Sequence, residues 1–248
     1  MALTKKSREI WPEVSGILLS DTPNLDASEH VGLLTVIAGV RPVALFLDVA
    51  DAEVKTLTGL LRQVDLISFV GKAPEPASTP ESPHRPEITS IFRGGLESSA
   101  FWVCRNWDDA ETIKKGLDDI TAGKLLGYPG CCIDAHQQDN ADLEDALVRA
   151  WTREFGDDPE RIAEAWREKR KVHVEFEPKA ADRVPRTLAL FPFVQHIACD
   201  LCLGTGDTPT AALKSAYRDL VAESDPALCD YLVTVARRYR RRTAKNID

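Results

Sequence analysis

Two close pairs of cysteines, far apart in the sequence, constrain the fold of this chain more than any other feature. Cys131 and Cys132 are adjacent, while Cys199 and Cys202 form a Cys-x-x-Cys pair. Adjacent cysteines can hardly bond to each other without a strained ring, because a disulfide has narrow geometric limits. We therefore expect each pair to find its partners in the other pair, which requires the two segments to meet in the folded chain.

The composition indicates a cytoplasmic globular protein. Of the 248 residues 44% are apolar and 28% are charged, and the net charge of −8 argues against a surface built to attract nucleic acid or anionic lipid. No apolar run approaches the roughly 20 residues of a membrane-spanning helix. The first residues, MALTKKSREIWPEV, lack the apolar core of a signal peptide. Cytosolic thiols stay reduced, so the cysteine pattern favours metal binding or catalysis over disulfides.

The sequence predicts a mixed α+β or α/β fold, with a small α/β unit at residues 1–72. Residues 33–49 are rich in Val, Leu and Ile and are interrupted by Arg41-Pro42, which predicts two strands joined by a turn. A helix is expected next, beginning near Asp51, because apolar residues then recur at helical spacing. The segment 66–71 is predicted as a short buried strand.

Proline-rich residues 73–87 are predicted to form an exposed loop or linker. Residues 88–248 are then expected to form a mostly helical domain that carries the cysteine motifs, and this domain could pack as one unit with residues 1–72. Within it, residues 99–106 predict a strand. Apolar stripes predict a helix after residue 108 and further helices beyond residue 140.

The first cysteine pair lies at a predicted helix start. Pro129 suits the first helical turn, where unpaired N–H groups and the positive end of the helix dipole favour a thiolate at Cys131 and Cys132. Cys132 and His136 are four residues apart and share a helix face, while Asp134 lies nearer the side of Cys131. Cys131, Asp134 and His136 are therefore candidates for nucleophile and acid–base groups.

The second cysteine pair extends into the pattern His196-x-x-Cys199-x-x-Cys202. A Cys-x-x-Cys pair is a common chelating turn, and His196 adds a ligand with the same spacing. Asp200, between the two cysteines, is a further acid–base candidate. The predicted metal or cofactor ligands are Cys131, Cys132, His196, Cys199 and Cys202.

The spacing favours an iron–sulfur cluster over zinc. Structural zinc sites usually take ligand pairs with intervening residues, which contiguous cysteines fit poorly. The several irons of a cluster could instead accept neighbouring thiolates, and three cysteine ligands would leave one iron open for substrate. Zinc remains the alternative, and a metal-free pair that oxidises reversibly between Cys199 and Cys202 is a third possibility.

Other candidate groups have plainer interpretations. Cysteine often serves as a small buried filler, and this is the expectation for Cys104 and Cys229. The histidines at 30, 84 and 173 stand among polar residues and are expected at the surface. The basic tail Arg237–Lys245 could contact nucleic acid, although cations also suit a helix C-terminus and can simply be solvated there.

The segments KLLGYPGCCIDAH and FPFVQHIACDLC resemble an uncharacterised domain-of-unknown-function family with an LGYPxCC signature and a downstream His-x-x-Cys element. The likeness covers roughly residues 100 to 205. The positions that carry it are Leu126, Gly127, Tyr128, Pro129, Cys131, Cys132, His196 and Cys199. The resemblance implies a site at these residues without naming a reaction.

The leading hypothesis from the sequence is a cytoplasmic iron–sulfur metalloenzyme that performs redox or sulfur chemistry on a small molecule. The alternative is a zinc-stabilised binding module that contacts nucleic acid through its basic tail. The two hypotheses differ in the metal and in whether it keeps an open coordination position.

Overall fold

The chain adopts an α+β fold in the computed structural model. The structure describes residues 3–20, 27–47, 49, 51–75, 84–93, 99–175, 183, 186–187, 193–194, 196–204 and 206–245. Most of the described residues are helical, and the strands among them form one three-stranded antiparallel sheet. The predicted fold class, an N-terminal part with α and β elements followed by a mostly helical half, is confirmed.

The described helices follow one another along most of the chain. Their bounds are α1 (Lys5–Ser20), α2 (Ala27–Ile37), α3 (Asp51–Arg62), α4 (Pro86–Arg93), α5 (Trp107–Lys114), α6 (Asp119–Leu125), α7 (Gly130–Phe155), α8 (Pro159–Arg167), α9 (Asp200–Leu203), α10 (Pro209–Ser224) and α11 (Pro226–Lys245). None of them combines the length and the apolarity that crossing a bilayer requires. The helices that the sequence predicts beyond residue 140 are present in the described residues. Helix α7 is the longest of the described helices.

The sheet consists of β1 (Val43–Phe46), β2 (Ile67–Lys72) and β3 (Ser99–Cys104) in the order β1-β3-β2. The central strand β3 runs antiparallel to both edge strands, with Trp102 opposite Leu45 on one side and Phe69 on the other. The Trp102 ring is fully buried, and its indole N–H donates to the Lys72 carbonyl at 3.0 Å. Strands from before and after the proline-rich segment therefore form one sheet.

The prediction of two strands over residues 33–49 is wrong for the first of them. Residues 27–37 form helix α2, and the strand in the described part of this stretch is residues 43–46. Helix α2 buries Val31, Leu33, Leu34 and Val36. A short helix that is apolar on most sides has no clear periodicity, so its sequence cannot be told from a buried strand.

The predicted helix after residue 108 is two helices, α5 and α6, separated at Gly116, whose φ of +96° favours glycine. The side chains of Asn106 and Asp118 cap the two helices by accepting a backbone N–H each. In the predicted proline-rich linker, residues 76–83 lie outside the described residues, and α4 begins at Pro86. The division at residues 73–87 into two domains stays a prediction.

The largest cluster of buried apolar side chains connects both ends of the chain. It contains Val14, Leu34 and Leu61 from the first three helices and Tyr217 from α10. The same cluster includes three of the four paired cysteines, at positions 132, 199 and 202. An interaction that holds these cysteines together therefore also stabilises the packing of the main core.

Candidate metal centre

A tight helix ending places the first cysteine pair. Helix α6 ends in a Schellman motif, in which the Tyr128 N–H donates to the Gly123 carbonyl at 2.9 Å and the Gly127 N–H to the Lys124 carbonyl at 3.0 Å. Gly127 has a φ of +70°, the left-handed conformation that this motif requires. The run Leu-Gly-Tyr-Pro is thus a stop signal for α6 followed directly by the start of the next helix.

Helix α7 begins with the two cysteines in its first turn. Pro129 is the N-cap residue in extended conformation, and Gly130 is the first helical residue, so Cys131 and Cys132 occupy the next two positions. The N–H groups of this turn have few partners within the helix, and the helix dipole is positive there. Both effects favour a negatively charged sulfur, but burial outweighs them and raises the pKa of both cysteines, so the thiolates that the sequence predicts at this turn are not favoured without a cation.

The second pair lies in a turn that wraps around a very short helix. Cys199 is the N-cap of α9, and its carbonyl accepts the Leu203 N–H at 2.9 Å. Gly204 follows as the C-cap. The Thr208 hydroxyl, at the start of α10, donates to the Cys202 carbonyl at 3.4 Å and so fixes the far end of the turn.

The structure brings these two segments together as a cluster of four sulfurs. The Sγ atoms of Cys131, Cys132, Cys199 and Cys202 all lie within 4.8 Å of one another, and those of Cys131 and Cys202 approach to 3.5 Å. Cys132, Cys199 and Cys202 are buried, whereas Cys131 is half-buried. Within the described ranges, this is the group of candidate ligands that could hold a metal ion.

The cluster is electrostatically suited to a cation. Burial and the neighbouring sulfurs of Cys199 and Cys202 raise the pKa of Cys131 to about 11, and burial raises the pKa of Cys132 as well. Burial also disfavours the Cys202 thiolate, but hydrogen bonds from Thr210 and the adjacent thiols outweigh it and lower the Cys202 pKa. Deprotonation of all four thiols is therefore unfavourable without a cation. A bound metal ion compensates the negative charges and makes the deprotonated form favourable.

Thr210 links the cluster to a buried histidine. Its hydroxyl lies 2.9 Å from Nε2 of His196 and 3.6 Å from Sγ of Cys132. Sγ of Cys132 also accepts the backbone N–H of Cys199 at 3.5 Å. Burial, followed by the charge of Arg41, lowers the pKa of His196 to about 4, so this imidazole is neutral. His196 is therefore not a member of the four-sulfur group and is connected to it through the hydroxyl of Thr210.

Aromatic packing holds His196 against the LGYP turn. Its ring centroid lies 5.0 Å from that of Tyr128, and the buried Arg41 guanidinium lies 5.7 Å from the centroid of the Tyr128 ring. Burial raises the pKa of Tyr128 despite the nearby positive charge of Arg41. The turn that precedes the first cysteine pair thus also supports the histidine that precedes the second.

The predicted acid–base groups are not members of the four-sulfur group. Asp134 is exposed, and His136 forms an ion pair with Asp119, with 3.4 Å between Nε2 and Oδ2. A hydrogen bond that His136 donates to the carboxylate of Asp119 raises the pKa of His136. The side chain of Asp200 is 71% exposed and pairs with Arg186 at 3.5 Å. The catalytic roles of Asp134 and His136 stay predictions.

The remaining cysteines and histidines occupy several environments. Cys104 and Cys229 are buried in apolar clusters, as expected for packing residues. His30 is fully buried in α2, so its predicted place at the surface is wrong. His84 is partly buried, 2.7 Å from a carboxylate oxygen of Asp145. His173 is exposed, as predicted.

The basic tail is the last part of α11. The side chains of Arg237, Arg238 and Arg241 are exposed. Their positive charges lie on a protein whose net charge is −8. They are the described side chains of this tail that could meet an anionic partner.

Comparison of the chain with protein-family models, with curated proteins and with solved structures gave no match. Inference about function therefore rests on the geometry of the four cysteines.

Proposed function

We propose that Cys131, Cys132, Cys199 and Cys202 hold a single tetrahedral metal ion, zinc, which stabilises the fold of a binding module. The supporting observation is the mutual separation of the four sulfurs, within 4.8 Å. With zinc–sulfur bonds of about 2.3 Å, the sulfurs of a regular tetrahedron lie about 3.8 Å apart. The sulfurs need only small side-chain rotations to reach this arrangement.

An iron–sulfur cluster, favoured by the sequence, places different demands on the four residues. In a four-iron cluster each thiolate binds a different iron, and in a two-iron cluster the four thiolates are divided between two irons, so some of the sulfurs must stand farther apart than around a single ion. A single ion requires four sulfurs that lie close together. The adjacent cysteines of α7 can supply two of them because the turn of α9 approaches both cysteines. The cluster-based enzyme predicted from the sequence also needs an open metal position, whereas four thiolates complete the coordination of one ion.

A closed four-thiolate site has a structural role. It joins the start of α7 to the turn around α9, and three of its ligands belong to the main core. Binding energies of structural zinc reach about 10 to 16 kcal/mol in small domains, which is comparable to the whole stability of a typical fold. The folded arrangement of residues 196–204 should therefore depend on the ion.

Anaerobic purification tests the metal. We expect one zinc per chain, no colour near 400 nm, and a loss of helical circular dichroism when a strong chelator is added. Cys199→Ser should lose the zinc, while Cys104→Ser, the same change at a buried cysteine outside the cluster, should retain it. A brown protein that contains iron and sulfide would overturn the proposal in favour of the iron–sulfur enzyme.

Nucleic acid is the second candidate, as the partner of such a module, because Arg237, Arg238 and Arg241 are exposed together at the end of α11. Replacing all three with glutamate should abolish salt-sensitive RNA or DNA binding in a filter or anisotropy assay. The matched control changes the exposed residues Arg161, Arg167 and Lys171 to glutamate, which alters the net charge equally. Equal binding by the two variants would contradict this candidate.

A further inference from the structure

The four sulfurs of the cluster differ in how well the protein protects them. Cys132 accepts the Cys199 N–H and lies next to the Thr210 hydroxyl, and its exposed fraction is 3%. Cys199 and Cys202 are also buried. Cys131 is half-buried, and its neighbours within the cluster are the sulfurs of Cys199 and Cys202. A reagent from solvent therefore reaches the Cys131 sulfur first.

The nearest route from Cys131 to a disulfide leads across the cluster. Its sulfur lies 3.5 Å from that of Cys202, and a disulfide bond of about 2.05 Å requires the two atoms to close by about 1.5 Å. Rotation of the two side chains can supply such a movement. The bond would join the first turn of α7 to α9, the same two segments that the metal joins.

We propose that the metal centre is a redox-sensitive site in which a hydroperoxide oxidises Cys131 and Cys202 to a disulfide and thereby releases the zinc. This inference rests on the proposed zinc site. The Cys131 thiolate attacks one peroxide oxygen, the O–O bond breaks, and Cys131 becomes a sulfenic acid while the peroxide leaves as water or an alcohol. The Cys202 thiolate then attacks the sulfenic sulfur and expels hydroxide, which completes the two-electron oxidation.

Release of the ion follows from the loss of ligands. The zinc does not change its oxidation state, but only Cys132 and Cys199 remain to hold it, and two thiolates bind zinc far more weakly than four. The new disulfide keeps the two segments connected, so the fold can persist without the ion. An external thiol would reduce the disulfide and restore all four ligands.

The experiment uses the full chain loaded with zinc, both as wild type and as the variant Cys104→Ala/Cys229→Ala, which lacks the two thiols outside the cluster. Hydrogen peroxide is added in steps, and released zinc is measured with a chromophoric chelator. Tandem mass spectrometry of the linked peptides must cleave between Cys131 and Cys132 and between Cys199 and Cys202 to locate the bond. We expect zinc release in proportion to a disulfide between Cys131 and Cys202 in both proteins.

Two results would overturn the inference while leaving the zinc site intact. One is zinc-loaded protein that keeps its ion when peroxide is added, and the other is release accompanied by a disulfide between Cys199 and Cys202. Failure of the proposed function is distinguishable, because a protein that holds no zinc before peroxide is added refutes the metal centre itself.

Discussion

Replacing Thr210 with valine tests whether the shell around the cluster supports the metal. The threonine side chain is fully buried, and its hydroxyl lies within hydrogen-bonding distance of His196 and close to the Cys132 sulfur. Valine has nearly the same shape but no hydroxyl, so the substitution removes both interactions without opening a cavity. Nε2 of His196 then loses this partner in a buried setting.

The expected magnitude derives from these two contacts. A buried polar group left without its partner costs about 1 to 3 kcal/mol, which should appear as a lower free energy of unfolding. Loss of a group that hydrogen-bonds to a metal ligand weakens metal binding by about 10- to 100-fold. The corresponding change in the free energy of zinc binding is about 1.4 to 2.7 kcal/mol.

The two effects are measured separately. Zinc affinity comes from competition with a chelator of known strength, and stability from urea unfolding at saturating zinc. The control is Thr152→Val in α7, where the buried hydroxyl has no hydrogen-bond partner within the described part of the chain. This control should leave zinc affinity unchanged and stability unchanged or raised. If Thr210→Val binds zinc and resists urea as the wild type does, the supporting role of Thr210 is refuted.

Two further predictions concern stability. The pKa of His196 is lowered to about 4 in the folded chain, below the value of about 6.5 expected in the unfolded chain. The contribution of neutral His196 to the free energy of unfolding is therefore fully present above pH 6.5 and is lost as the pH falls towards 4. The difference in unfolding free energy between the wild type and His196→Gln should therefore change over that interval, and a difference independent of pH would contradict the assignment. Ile162→Ala, in the separate buried cluster around α8, should lower stability by about 2 to 5 kcal/mol in urea unfolding yet leave zinc affinity unchanged, and a loss of zinc would show that the two regions are coupled.

The part of the site that depends on local sequence was predictable. Contiguous cysteines after Gly-Tyr-Pro indicate a helix start, because glycine ends one helix and proline suits the beginning of the next. The Cys-x-x-Cys spacing indicates a chelating turn. Since adjacent cysteines cannot readily pair with each other, the meeting of Cys131 and Cys132 with Cys199 and Cys202 could also be predicted.

The surroundings of the cluster were not predictable in the same way. Thr210 comes after Thr208 and Pro209, where the sequence signals only a helix N-terminus. Its approach to the Cys132 sulfur depends on how α10 packs, which no local pattern records. The spacing of His196 suggested a ligand, yet its Nε2 atom lies against the Thr210 hydroxyl, outside the four-sulfur group.

The misjudged strand over residues 33–40 has a related cause. Sequence periodicity reports which face of an element is buried, and helix α2 is buried on most of its sides. The same burial explains His30, whose neighbours Ser28 and Glu29 suggested an exposed position. In a helix, neighbouring residues point in different directions. When other helices surround α2, the polarity of a sequence neighbour therefore does not predict whether the side chain of His30 is buried.

X-ray absorption at the zinc edge of the purified protein tests the central claim most directly. We expect four sulfur neighbours at about 2.3 Å and no second metal nearby. A shell of nitrogen or oxygen ligands, or a neighbouring iron seen at the iron edge of the same sample, would contradict a single ion held by Cys131, Cys132, Cys199 and Cys202.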